Sequence, residues 1–572
     1  MKPVGSVHRQ RLLFCSLALI GTLTACGGGG GGSDGGGATA TSSRTLSLTG
    51  TAAGGGTVFA TRPVEAKCSA GAGTTTSATD GKFTLGIADG VLPCALRVTA
   101  ADGTVLHSVA AGTGDSAVAN ITPVTHMVVA ALTGTDPAAF YGSFSSATAG
   151  AVTSAGVTAA MATVAATLQP VGIDLSSVGN VLTANLVPSS GGTAGNAYSQ
   201  ALDALAAAQS STGTTIAQLT QAVANTTTVA TSTPSGTPSL PADLLLRPAA
   251  SNCAALRSGR YRVVIPQIAP AGSFSTGYFD LNASTLGVVS DEGDTLTLVP
   301  AGICQYNFDA GASQLVVSQA GVLVFRSRES GVMRIGIGFP EQTHSVAELQ
   351  GTWNSLGMEG NGSAYLAYAS TFTFDSSGVS TAISYCADVK NCVAITTPTV
   401  TRSVNSSGGF TNAYSDGNSP DRTFAYRAGG GEWLLVDIAG GGHFGLSTRQ
   451  RTNELPTVGT AVGFWNFDLN NQLQAPSALT VGGNTITSVN AASGEFTRAN
   501  IIGSGGVTRP ESLVANTPRA GYTLRNAATG VINSAGATVN VPEFIALPLR
   551  GMGLSAVSST VSGNYSLSVV QP

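Results

Sequence analysis

Charge is what this chain has least of. Asp, Glu, Lys and Arg make up 10% of its 572 residues, well under the usual quarter. Lysine occurs only at positions 2, 67, 82 and 390, and the net charge is −4. Without a basic cluster the chain lacks the electrostatic footprint of a nucleic-acid binder, and no nucleic-acid partner is expected. Long hydrophobic runs are missing as well. Leu12–Leu23 is too short to span a bilayer, and within 121–228 Ser, Thr and Gly interrupt every run before ~18 apolar residues accumulate. There is no G-x-S-x-G elbow, no Walker loop and no H-E-x-x-H. Beyond residue 25 the histidines are His107, His126, His344 and His443, and no two stand at a ligand spacing. No metal and no cofactor is therefore expected.

Glycine is abundant, with 74 residues, and its densest stretch follows a cysteine. Lys2, Arg9 and Arg11 form a positive start, an apolar stretch follows, and Ala25 precedes Cys26. This is an export signal over 1–25. Leu23-Thr24-Ala25-Cys26 resembles the lipobox of bacterial lipoproteins. The resemblance implies cleavage before Cys26, acyl chains on that cysteine and a membrane partner through this lipid anchor. Residues 26–43, nearly all glycine at first, read as a flexible tether. The residue after Cys26 is Gly27 rather than aspartate, and by the same resemblance this favours the outer membrane. A lipidated cysteine followed by poly-glycine also resembles the start of surface lipoproteins that bind transferrin or complement factor H. Cleavage removes three basic residues, leaving 23 against 30 acidic ones, a net charge of −7.

Six cysteines follow Cys26 and fall two by two into segments. An oxidising compartment then implies the disulfides Cys68–Cys94, Cys253–Cys304 and Cys386–Cys392.

The fold class expected is multidomain and mainly β. Residues 44–120 alternate apolar and polar between glycine-rich turns. Within them "TTTSATDGKFTLGI" (74–87) resembles a segment of carboxypeptidase-regulatory-like domains. That resemblance implies a small transthyretin-type β-sandwich, with Asp80-Gly81 in a turn and Phe83 and Leu85 in the core. Residues 121–228 read as an Ala/Ser/Thr-rich helical domain, opened by Thr122 as N-cap with Pro123 following. Further helices are expected near 151–168, 175–187, 196–209 and 214–224. Residues 229–250 carry four prolines and read as a linker.

All three tryptophans and ten of the twelve tyrosines lie beyond 251. Alternating strands there imply tandem antiparallel β-modules, small barrels or sandwiches, at 251–345, 346–453 and 454–572. The last two repeat each other: Gly351-Thr-Trp353-Asn354 returns as Gly463-Phe-Trp465-Asn466. Phe424-Ala-Tyr426-Arg427 returns as Tyr522-Thr-Leu524-Arg525, and Glu432-Trp433-Leu434 as Glu543-Phe544-Ile545. Gly259-Arg-Tyr261 suggests a more distant copy. Gly-x-Trp at a first strand also resembles the opening of lipocalin-like barrels.

Chemistry has one candidate, "VDIAGGGHFGLS", in which Asp437, His443 and Ser447 supply the residue types of a Ser-His-Asp set. "DGNSPD" (416–421) reads as a turn rather than a calcium loop. Arg427 and Arg525 could take an anion, or pair with Glu432 and Glu543 and close a barrel end. The leading expectation is a non-enzymatic envelope lipoprotein, with exposed Tyr and Trp such as Trp433 contacting a protein or glycan ligand. The alternatives are an envelope hydrolase around Asp437 and His443, and a purely structural envelope protein. An enzyme needs Asp437, His443 and a serine to converge; a binder needs an aromatic groove or a barrel cavity.

Overall fold

In the computed structural model the described residues are 44–54, 57–189, 194–227, 237–266, 276–329, 331–360, 365–386, 390–418, 420–439, 443–475, 479–502, 507–532, 538–559 and 564–572. The signal, Cys26 and the glycine tether lie outside them, as does 229–236 of the expected linker.

The chain is mainly β, with an N-terminal sandwich, a helical segment and C-terminal barrels, one closed and two open. The sandwich packs a three-stranded sheet on a four-stranded one. Alternation sets its inside: along Lys82–Ala88 the residues Phe83, Leu85 and Ile87 are buried and their neighbours exposed. Thr45–Thr51 pairs antiparallel with that strand and parallel with Ser116–Val118. Cys68 and Cys94 are cross-strand partners and are bonded.

The helices are α1 Pro123–Thr133, α2 Pro137–Ser143, α3 Ser154–Leu168, α4 Ala197–Thr212, α5 Ile216–Thr227 and the short α6 Ala242–Leu245. Thr122 caps α1 by accepting from the Thr125 amide, and Gly134 ends it in the left-handed region. The helix expected at 175–187 is absent. Asp174 and Asn180 accept from the amides of Ser176 and Leu182, and the Asn120 side chain binds the Ala184 carbonyl. These side chains offer the backbone turns in place of a helical ladder. Residues 237–250 are likewise not a solvated linker. Leu240 and Leu244 enter the core of the first C-terminal sheet, and Ala249–Ala250 pairs with Cys253–Arg257.

Two nine-stranded antiparallel sheets follow, with the same strand order. In each, the first strand pairs with the second and the ninth, so the sheet curls round and stays open between its fourth and fifth strands. In the second sheet the first strand is Gly351–Gly360 and the ninth His443–Arg449. The third unit is a closed eight-stranded barrel running from Ala461–Leu469 to Tyr565–Val570. The repeated motifs keep their local pairing, since Arg427 opposes Trp433 as Arg525 opposes Phe544. One strand then leads back to the first strand in the second sheet, which stays open, whereas two do so in the closed barrel. Cys253–Cys304 and Cys386–Cys392 are bonded.

The largest hydrophobic cluster lies on the outer faces of these units. Val324 and Ile337 of the first sheet, Leu356, Val436 and Phe444 of the second, and Phe467, Leu547 and Leu567 of the barrel belong to one core. Tyrosines pin the contacts: Tyr522 donates to the Ser355 carbonyl (2.8 Å) and Tyr565 to that of Leu356 (3.2 Å). Because the outsides are apolar, the alternate positions of each strand face a lumen. In the first sheet that lumen is filled by Tyr261, Tyr306, Leu315, Val317 and Phe325.

Candidate binding cavity in the second sheet

In the second sheet the lumen is polar and hollow. Period 2 sends Leu356 and Met358 outward and Trp353, Ser355 and Glu359 inward. It does the same with Val436 against Leu435 and Asp437, and with Leu446 against His443 and Ser447. One end is plugged by Leu349, Trp353, Phe410, Trp433 and Leu435. Arg449 stacks over Trp353 at 4.2 Å and donates to the carbonyls of Gln350 and Glu348. Above the plug is a cavity of about 530 Å³, inside the usual range for small-molecule sites.

Arg402 lies on its wall and is 3% exposed. Its Nε donates to Asn412 Oδ1 (2.8 Å) and its Nη2 to Thr423 Oγ1 (3.4 Å), while Nη1 has no hydrogen-bond partner among the described residues. The Thr423 hydroxyl donates in turn to Asp437, whose other oxygen accepts from Ser447 (2.9 Å). Arginine and aspartate thus neutralise each other through one hydroxyl without touching. Burial pulls the guanidinium down to about 10, against the opposing fields of Asp437 and Tyr414. Asp421, also on the wall, accepts from Tyr414. Burial holds its carboxyl above the ordinary range; Asp437 and Glu359 add to this, and His443 and the Tyr414 bond oppose it.

The opposite wall is aromatic. Tyr385 and Tyr368 stack at 5.8 Å, and Tyr368 and His443 at 4.9 Å. Tyr385 donates to Glu359 (2.7 Å), and the Tyr368 hydroxyl lies 2.9 Å from His443 Nε2. Gly357 and Gly445, cross-strand partners, make room for this stack. A Cβ on Gly445 would lie 2.2 Å from the Tyr368 hydroxyl, and one on Gly357 2.7 Å from its ring.

This geometry overturns the Ser-His-Asp expectation. Ser447 bonds directly to Asp437, and His443 bonds to Tyr368 instead. His443 and Ser447 share a strand, so their Cα atoms are roughly 13 Å apart at ~3.3 Å per residue. No imidazole is placed to activate the serine. The exposed aromatic surface is overturned too. Trp353, Trp433 and Trp465 are buried, as are Tyr426, Tyr522 and Tyr565. Trp353 and Trp433 are buried in the plug of the second lumen, and stacking of the units covers Trp465, Tyr426, Tyr522 and Tyr565. Arg427 does not pair with Glu432 among the described residues, and the ion pair described for Arg525 is with Glu511. Arg427 lies over Trp433 at 5.2 Å and donates to the Thr226 carbonyl; Arg525 lies over Phe544 at 4.0 Å and pairs with Glu511. Glu432 faces Arg451 and Glu543 pairs with Lys390. The repeated element is therefore a cation stacked on an aromatic ring.

Arg402, Tyr368, Tyr385, Tyr414 and Asp421 were not singled out in the sequence as site residues. The available signal was Arg402 in an alternating strand, on the same face as the apolar Val400. Among the described residues no group of three or more His, Cys, Asp or Glu could hold a metal, and no helix is long and apolar enough to cross a membrane.

The chain matches no family model and no curated protein. Among solved structures, it is similar to a protein of unknown function from the DUF3598 family of Nostoc punctiforme. That match has 9% identity and a TM-score of 0.16, over 40% of this chain and 98% of the other. Another is the vaccine antigen transferrin-binding protein B of Haemophilus parasuis, a mutant form. Identity is 5% and the TM-score 0.18, over 55% of this chain and 76% of the other.

Proposed function

We propose that this chain is a non-enzymatic binding protein of the bacterial envelope, whose ligand site is the lumen of the second nine-stranded sheet. The observation that carries the reading is Arg402, a buried residue lining a 530 Å³ cavity, whose Nη1 has no hydrogen-bond partner among the described residues. A buried unpaired donor on a guanidinium is costly. A ligand oxygen would remove that cost, and the aromatic wall would supply contact area. The first sheet serves as a support, since its lumen is filled with side chains. The hydrolase alternative has no activated nucleophile to rest on.

The direct test is a thermal-shift screen of the full chain against small polar molecules, repeated with Arg402→Gln. A ligand that raises the melting temperature of the wild type and not of the variant supports the reading. If every stabilising ligand acts equally on both, the lumen is not the site.

Attachment is part of the same proposal. Cys26 would carry acyl chains in the outer membrane, and 26–43 would hold the folded part away from it. Cys26→Ser is expected to move the protein from the membrane to the soluble fraction and to abolish palmitate labelling. Retention of both would refute the anchor. Protease treatment of intact cells, with a periplasmic protein as control, then separates an outward face from an inward one.

A further inference from the structure

The lumen of the second sheet presents hydrogen-bonding groups of two opposed kinds. Arg402 Nη1 is a donor with no acceptor among the described residues. Asp421, Asp437 and Glu359 are carboxylates, which when ionised can accept but not donate. Three carboxylates against one guanidinium make the wall net negative, so an anion that satisfied Arg402 would meet repulsion from the others. An ammonium would suit the carboxylates and leave Arg402 unpaired. A hydroxyl both donates and accepts and carries no charge. It answers both kinds of group at once.

Shape adds a second constraint. Tyr368 is sandwiched between Tyr385 and His443, so the half-buried Tyr385 at the end of the stack is the tyrosine ring with a face left on one wall, and Phe374 lies 4.3 Å from the Arg402 guanidinium on the other. The occupant needs an apolar face as well as a rim of hydroxyls. Sugar rings have both: C–H bonds along a face and hydroxyls around the edge.

From this we infer that the lumen binds a neutral saccharide, with hydroxyls bridging Arg402 to Asp421 and Glu359 and a ring face on Tyr385. The inference rests on the lumen being the binding site. The saccharide would be free, or it would be the end of a polysaccharide chain.

Calorimetric titration of the full chain in a non-glycosidic detergent tests it. The probes are neutral mono- and disaccharides, a soluble neutral polysaccharide, zwitterionic amino acids and aliphatic dicarboxylates. Saturable binding of a neutral saccharide is expected. Arg402→Gln should weaken it by on the order of ten- to a hundredfold, the loss of a hydrogen bond to a charged group. Glu359 is exposed and Arg402 is not, so Glu359→Gln is the second variant. It should weaken binding with no change in thermal unfolding. Binding by the small sugars identifies a free ligand; binding by the polysaccharide alone identifies a chain end. Arg402-dependent binding of only amino acids or dicarboxylates would overturn the saccharide class and leave the lumen reading intact. Saccharide binding indifferent to both variants would overturn the placement. No binding by any probe would overturn both.

Discussion

Acidification should open the joint between the sandwich and the helices before it affects the rest of the chain. His107, on the sandwich strand Val105–Ala110, and His126, on α1, are 2% and 7% exposed. Their Nδ1 atoms are 3.3 Å apart, and the His107 amide donates to His126 Nδ1 (3.1 Å). Stacked imidazoles at this distance are stable only while at least one is neutral. Burial pulls His107 down to about 4, with Asp136 opposing and Arg97 adding, and pulls His126 down to about 3. The unfolded value is 6.5, so below it the unfolded chain holds more protons than the folded one. The stabilisation is complete above pH ~6.5 and is lost as pH falls towards the folded value. Counting only His107, about 2.5 kcal/mol is lost by pH ~4.5. Turn carboxylates such as Asp80, Asp102 and Asp174 are held below their ordinary range by their turn hydrogen bonds, chiefly with Lys82, Thr104 and Ser176, and titrate lower. The readout is the hydrogen-exchange protection factor of the His107 amide. It should fall roughly seventyfold between neutral pH and pH ~4.5. The double variant His107→Asn/His126→Asn keeps a side-chain acceptor at position 126 and leaves no imidazole to titrate at the joint, so the protection factor of the amide at position 107 should stay flat over the same range. An equal fall in the variant, or none in the wild type, would refute the reasoning.

Three further outcomes follow from the packing. Replacing Cys253 and Cys304 by serine should cost about 4 kcal/mol in the chain-entropy model, for a separation of 51 residues. The same change at Cys386 and Cys392, 6 residues apart, should cost only about 2 kcal/mol; denaturant midpoints that reverse this order would contradict it. Trp353→Ala removes the fully buried plug of the second lumen and should destabilise by about 3–5 kcal/mol, read as a lowered melting temperature. A cost under about 1 kcal/mol would mean that Trp353 is not the plug. Ser447→Ala should cost about 1.5–3 kcal/mol of stability by breaking the bond to Asp437, and a serine-directed fluorophosphonate should leave Ser447 unlabelled; labelling there would revive the hydrolase reading.

Much of the architecture was legible because local chemistry decides it. Alternation over 82–88, the Thr122 cap and the cysteines lying in pairs by segment all depend on near neighbours. The lumen depends on distant ones. Along Trp433–Ala439 almost every residue is apolar and buried, so the sequence shows no period. The strand is covered on both faces, by the neighbouring units outside and by the lumen inside. Aromatics expected at the surface are buried for the same reason: Tyr426 donates to the Ala320 carbonyl of the first sheet. Asp421 read as part of a turn because its partner, Tyr414, is brought to it by strand pairing. The Ser-His-Asp expectation failed on period 2, which puts His443 and Ser447 on one face but at different depths of the lumen.

The central claim is that the second lumen is a ligand site built around Arg402. Native mass spectrometry of the protein released gently from its own envelope tests it without a choice of ligand. The account predicts a single small-molecule adduct per wild-type chain, lost from folded Arg402→Gln. An adduct retained by the variant, or a wild-type chain that stays bare in the presence of its own cell extract, would contradict it.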